Sequence, residues 1–200
     1  RVCARLLRPE CVPLNQIIEF DPTVGWKPKG NLNTHYFAVD DTVCHIRTDS
    51  QGWQGHIDLS QSDVVVFGDS FAFGYGVNFA ASFVELNPNM RIKAIGAPGY
   101  NMVQELLLLR HFAEQLRDKL VIWFICLDND LYDNLRPNRA DGTRMPFARS
   151  LKGEDDWEIV TSHVNPTKWY CSSVDPQSYY PMLATFCTTS FLSQRAFSAC

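Results

Sequence analysis

The chain has no concentrated positive charge. Its 18 lysines and arginines are scattered among 22 aspartates and glutamates, for a net charge of −4 over 200 residues. That argues against a surface built to track nucleic-acid phosphates. It has no long apolar run either. The stretch through Val121–Leu127 falls far short of the ~20 residues that a membrane-spanning helix needs. No repeat or heptad period is present. The seven cysteines (Cys3, Cys11, Cys44, Cys126, Cys171, Cys187 and Cys200) include no C-x-x-C pair. Their odd number favours reduced thiols, and Cys126, in an apolar segment, reads as a buried one.

What is present suits an ordinary folded domain. The composition is 46% hydrophobic and 12% aromatic with 20% charged residues. That excludes disorder and is enough for one globular domain, or one domain with a smaller appendage. The chain opens on Arg1 and stops at Cys200 within a helix-like segment. Both ends therefore read as cut, and the compartment, cytoplasmic or extracytoplasmic, is left open.

Residues 1–60 are punctuated by Pro9, Pro13, Pro22 and Pro28. Gly25-Trp26 and Lys29-Gly30 read as turns. Short alternating runs at His35–Val39 and Val43–Ile46 read as edge strands. We expect a small β-rich appendage here. From residue 63 the rhythm changes. Asp63–Phe67 is a β-branched run closed by Gly68, as in a buried parallel strand. Asn78 is placed to cap a helix whose Phe79, Phe83 and Leu86 share a face. Arg91–Ile95 reads as a second strand. Asn101 caps a longer helix, with Gln104 completing a capping box and Met102, Leu106, Leu109, Ala113 and Leu116 forming its stripe. Leu120–Cys126 reads as a third strand, apolar on both faces. Alternating strands and helices predict an α/β domain over residues 61–200 with a parallel sheet. Residues 128–142 read as an Asp- and Asn-rich loop, opening an insertion over about 131–180 that holds a possible strand at Trp157–Val160. Pro181 reads as the start of a helix. No fourth parallel strand is visible, and three strands leave an open edge. The expectation is an incomplete sheet.

Polar signals follow each strand: Gly68-Asp69-Ser70, then Gly99, then Asn129. In a parallel sheet these ends lie on one side, at the carboxyl edge where open α/β folds bind ligands. A hydroxyl, a glycine N–H and a carboxamide gathered there suit acyl transfer. The serine oxygen attacks a carbonyl, and fixed donors stabilise the oxyanion.

Val66–Val77, with Gly68-Asp69-Ser70 at its centre, resembles the first block of the SGNH/GDSL hydrolases. Ile95–Tyr100 is similar to their second block, and Leu127-Asp128-Asn129-Asp130 to their third. Asp21-Pro22-Thr23-Val24-Gly25-Trp26 resembles the lead-in of many bacterial members. The likeness covers roughly residues 20–135. It implies a three-layer, flavodoxin-like sandwich. It also implies Ser70 as nucleophile, with an oxyanion hole made by the N–H groups of Ser70 and Gly99 and the amide of Asn129. The implied activity is hydrolysis or transfer of an O-linked acyl ester, on a small molecule or a carbohydrate, without metal or organic cofactor.

Two features depart from that pattern. Leu127 stands where the family carries glycine. The Asp-x-x-His block is missing: Leu32, Thr42, Trp53, Leu108 and Val160 lie three residues before the five histidines His35, His45, His56, His111 and His163. A serine without a base is a weak nucleophile, so the base is expected beyond residue 200, or the chain is a pseudo-enzyme. His163 as replacement base is a lesser option, and His111 reads as a surface histidine.

Other readings are weaker. Gly74-x-Gly76 lacks the third glycine of a dinucleotide fingerprint and the lysine of a P-loop. Asp128, Asp130 and Asp133 lack EF-hand spacing and read as a solvated loop. Trp157, Trp169, Tyr170, Tyr179 and Tyr180 suit packing more than a sugar-binding surface. The competing function is a non-catalytic carbohydrate-binding or assembly protein on the same scaffold.

Overall fold

The structure is a computed structural model that describes residues 11–12, 14–38, 42–55, 57–87, 89–127, 130–139, 142–151, 156–161 and 164. It is a mixed α/β fold of several short sheets and helices. Asn129, His56, His163 and the helix expected from Pro181 lie outside the described residues.

The N-terminal segment is rich in strands. It runs β1 (Cys11–Val12), α1 (Leu14–Ile17), β2 (Ile18–Asp21), β3 (Gly25–Pro28), β4 (Asn33–Phe37) and β5 (Val43–Arg47). β2 and β3 form an antiparallel hairpin, whereas β1, β4 and β5 form a second sheet with β4 at its centre. Gly25-Trp26 thus opens a strand rather than forming the expected turn. The turn lies just before it, where the Asp21 carboxylate accepts from the N–H groups of Thr23 and Val24.

The parallel sheet has the order β7-β6-β8. Its elements are β6 (Val64–Gly68), α2 (Ser70–Phe73), α3 (Phe83–Leu86), β7 (Ile92–Gly96), α4 (Met102–Phe112) and β8 (Leu120–Trp123). β6 and β7 are buried at every position, which is why β6 reads as an unbroken apolar run; β7 carries one charge, Lys93, within it. Alternate residues feed two cores. Val65, Phe67 and Ile95 pack with Leu108 and Phe112 of α4 and with Ile17, Val24, Trp26 and Trp53 of the N-terminal segment. Val64, Val66, Ile92 and Ala94 pack with Ala72 and Val84 on the opposite face. The N-terminal segment also reaches the outer edge of β7, where Gln54 bridges to Ala94.

Several expected boundaries move. Ser82, not Asn78, caps the helix at Phe83–Leu86. Asn78 instead accepts from the His45 N–H, and Phe79–Ala81 is a separate 3-10 turn. Leu86 is 64% exposed, so the proposed shared face does not exist. β8 stops at Trp123. Beyond it Ile125 is exposed and Cys126 is only half-buried, so Cys126 is not the core thiol that the apolar run suggests.

The capping box on α4 forms as expected, with both Asn101 and Gln104 bonds present. The buried face of α4 is Val103, Gln104, Glu105, Leu108 and Phe112; of the predicted stripe, Leu116 is buried in the 3-10 turn that follows α4 and Leu109 packs against the core, whereas Met102 and Leu106 are half-buried and Ala113 is exposed. Two polar side chains hold the core position because each finds a partner. Gln104 donates to the Val24 carbonyl, and Glu105 accepts from the Trp123 indole.

The Asp-rich segment contains one helical turn, α5 (Asp130–Asp133), and is followed by the antiparallel pair β9 (Phe147–Ser150) and β10 (Trp157–Val160). Asp130 is fully buried, which corrects the reading of a purely solvated loop. Among the described residues no helix is long and apolar enough to cross a membrane.

Candidate active site

Gly68 at the end of β6 pairs in register with Gly96 at the end of β7. Both strand ends are packed tightly against the helix that follows β6. A Cβ on Gly68 would stand 2.9 Å from the Ala72 Cβ and 3.0 Å from the Phe124 Cβ. This close approach sets α2 directly on the sheet edge, with Ser70 as its first residue. Asp69 caps that turn, accepting from the Phe71 N–H at 2.9 Å. Its other carboxylate oxygen accepts from Ser70 Oγ at 3.2 Å. Asp69 is buried, whereas Ser70 is half-buried and reaches solvent.

Gly99 lies three residues past Gly96, in the turn that leads into α4. Its φ of +76° is a conformation that side chains with a Cβ rarely adopt. A second constraint is steric, since a Cβ here would collide with the Arg139 guanidinium. Among the described residues, neither the Ser70 N–H nor the Gly99 N–H has a hydrogen-bond acceptor. The fold thus brings a hydroxyl and two uncommitted backbone donors to the carboxyl ends of adjacent parallel strands.

Around Gly99 the backbone is held from several directions. Trp26 Nε1 donates to the Pro98 carbonyl at 3.2 Å, and Arg139 Nη1 donates to the Gly99 carbonyl at 2.8 Å. The Tyr100 hydroxyl donates to the Trp26 carbonyl at 2.5 Å. Burial pushes the Tyr100 phenol well above its ordinary range, so it stays protonated and able to donate. The segment carrying Arg139 is fastened to the start of α4. Asn101 Nδ2 donates to the carbonyls of Asp133 and Pro146, and the Val103 N–H donates to Asn134.

Near this edge sit three buried carboxyl groups: Asp69, Glu105 and Asp130. Burial pushes Glu105 up to about 8, opposed by the Trp123 indole bond and reinforced by Asp130 and Asp69. Burial likewise pushes Asp130 up to about 6, opposed by the Cys126 N–H and reinforced by Asp69 and Asp133. Glu105 Oε1 and Asp130 Oδ1 have no hydrogen-bond partner among the described residues. Among those residues, no group of three His, Cys, Asp or Glu side chains is arranged to hold a metal ion.

No described histidine hydrogen-bonds Ser70. His35 and His45 face each other across β4 and β5 with ring centroids 5.0 Å apart, and His111 lies on the exposed side of α4 against Phe112. An apolar groove of about 340 Å³, lined by Met102, Leu106, Trp123, Leu131 and Leu135 among others, includes neither Ser70 nor Gly99.

Sequence reasoning missed Arg139, Glu105 and the hold of Trp26 on this turn, and it read Asp130 as solvated. Trp26 was signalled only by its place in the Asp21–Trp26 lead-in. Glu105 was hidden by the hydrophobic period of α4, and Arg139 carries no local signal at all. No protein-family model, no curated protein and no solved structure matches this chain.

Proposed function

We propose that this chain carries the nucleophile and backbone oxyanion donors of an SGNH-type site that hydrolyses or transfers an O-linked acyl group. One observation carries the reading: a half-buried Ser70 at the carboxyl end of β6, beside a Gly99 turn at the end of β7, with both N–H groups unclaimed by described acceptors. The strand order β7-β6-β8 adds support. It matches the first three strands of a flavodoxin-like sheet, whose ligand site lies where the strand order reverses. The complete three-layer sandwich is part of the same proposal.

In this reading Ser70 Oγ attacks the ester carbonyl carbon and yields its proton to a base. The carbonyl π electrons move onto oxygen, and the oxyanion is received by the N–H groups of Ser70 and Gly99. Collapse of the tetrahedral species breaks the bond to the leaving oxygen, which takes the proton back from the base and departs as the alcohol, and leaves an acyl group on Ser70. Water or an acceptor hydroxyl then attacks that acyl group. Asn129 is the third donor proposed. The base is neither the paired His35 and His45 nor His111, so we place it outside the described residues. Short-chain esters or O-acetylated sugars are the substrate class proposed.

The test is hydrolysis of p-nitrophenyl acetate by the full chain and by Ser70→Ala. Turnover above background that disappears in Ser70→Ala supports the proposal. Equal turnover in the two proteins contradicts it.

A further inference from the structure

We propose, building on the reading of Ser70 and Gly99 above, that Trp26 is a positioning residue whose indole N–H aims the Gly99 N–H at the reacting oxygen. The Pro98 carbonyl and the Gly99 N–H are opposite ends of one planar peptide unit. A donor on the carbonyl end fixes the plane and, by polarisation along the unit, strengthens the N–H end. Trp26 Nε1 is that donor, at 3.2 Å.

The indole is itself held. Trp26 is 2% exposed, and its ring lies 5.7 Å from that of Tyr100, centroid to centroid. The next peptide is fixed by Arg139, which donates to the Gly99 carbonyl at 2.8 Å. The Arg139 guanidinium lies 5.9 Å from the centroid of the Trp26 ring. Successive carbonyls at 98 and 99 are therefore each claimed by a side chain from a different part of the chain, while the N–H between them is left without an acceptor among the described residues.

Docking of the β2–β3 hairpin onto this turn does not depend on the indole nitrogen. It is carried by the packing of Val24 and Trp26 in the core and by bonds to two backbone carbonyls, from the Tyr100 hydroxyl to Trp26 at 2.5 Å and from the Gln104 amide to Val24 at 2.6 Å. The indole N–H is thus separable from the fold, and the lead-in motif acquires a chemical purpose beyond packing.

The experiment measures phosphonylation of Ser70 in the full chain by a fluorophosphonate, resolved into a binding constant and a maximal rate. Trp26→Phe keeps a ring and removes the donor. An isosteric replacement of Trp26 by benzothienylalanine removes only the N–H and serves if the phenylalanine variant does not fold. A fall of about tenfold or more in the maximal rate is expected, against the 10²–10³ lost when an oxyanion donor is removed outright. The binding constant should remain near wild type; Trp26→Phe should lower the melting temperature, since it shrinks a buried ring, whereas the isosteric variant should melt close to wild type. A folded variant whose maximal rate stays within about twofold of wild type overturns the positioning role while leaving Ser70 in place. Absence of any Ser70 adduct in the wild-type chain overturns the underlying reading as well.

Discussion

Lys93 Nζ and Asp49 Oδ2 lie 2.5 Å apart, and the lysine side chain is completely buried. Lys93 is the second residue of β7, and Asp49 belongs to the N-terminal segment, where its other oxygen accepts from the Gln51 and Trp53 N–H groups. The parallel sheet and the strand-rich segment are therefore joined by a charge pair within the core. Removing one member of a buried pair strands the other. Asp49→Asn is expected to destabilise the protein by about 3–5 kcal/mol. Lys93→Met should lose less, because the Asp49 carboxylate it leaves behind is partly exposed and keeps the Gln51 and Trp53 N–H groups, whereas the ammonium left by Asp49→Asn is completely buried. Urea denaturation of both variants checks this, and a larger loss for Lys93→Met contradicts it.

Gly99→Ala faces two obstacles, the positive φ and the Arg139 guanidinium. The left-handed conformation alone costs about 1–2 kcal/mol for a residue with a Cβ. Arg139→Ala should remove the steric part. The double variant is therefore expected to be more stable than the sum of the two single losses predicts. A double-mutant cycle by thermal denaturation measures the coupling, and strict additivity would show that the two residues do not compete for the same space.

Gly96→Ala tests how Ser70 is set on the sheet. A Cβ at 96 would press on the Gly68 carbonyl and stand 3.0 Å from the Ala72 Cβ, so α2 must shift. Overpacking of this kind costs about 1–3 kcal/mol. The variant should lose stability and slow Ser70 phosphonylation together. Slowed unfolding with unchanged labelling would contradict the packing described.

Glu105 supplies a pH prediction. Its carboxyl is raised from 4.5 to about 8 in the folded protein. Between these values the folded state keeps a proton that the unfolded chain has released. This contribution to stability is present below about 4.5 and is lost as pH rises towards about 8. Asp130, raised from 3.8 to about 6, acts in the same direction over a lower window. Glu105→Gln should flatten the decline in melting temperature between pH 5 and 9. An unchanged slope would place the titration elsewhere.

Much of the scaffold was legible because it depends on local chemistry. β6 is buried on both faces, so its β-branched run announces it, whereas β7 was legible despite Lys93, from its isoleucines and the glycine that closes it. The Asn101–Gln104 box is written within four residues. What was illegible depends on partners distant in sequence. Glu105 occupies a core position only because Trp123 reaches it, and the buried face of α4 consequently departs from its apolar period. Asp130 is buried because its carboxylate closes a loop on the Cys126 N–H at 2.6 Å, which no composition rule reveals. For the site, Ser70 and Gly99 could be placed on the sheet edge from strand ends alone. The hold of Trp26 on the Pro98 peptide spans 72 residues and needed coordinates.

The most direct measurement is a crystal structure of the Ser70 adduct formed with a dialkyl phosphoryl fluoride. The phosphoryl oxygen is expected about 2.7–3.1 Å from the backbone nitrogens of Ser70 and Gly99, the separation of a working oxyanion hole. An adduct whose phosphoryl oxygen points away from both nitrogens, or a chain that forms none at Ser70, would contradict the account.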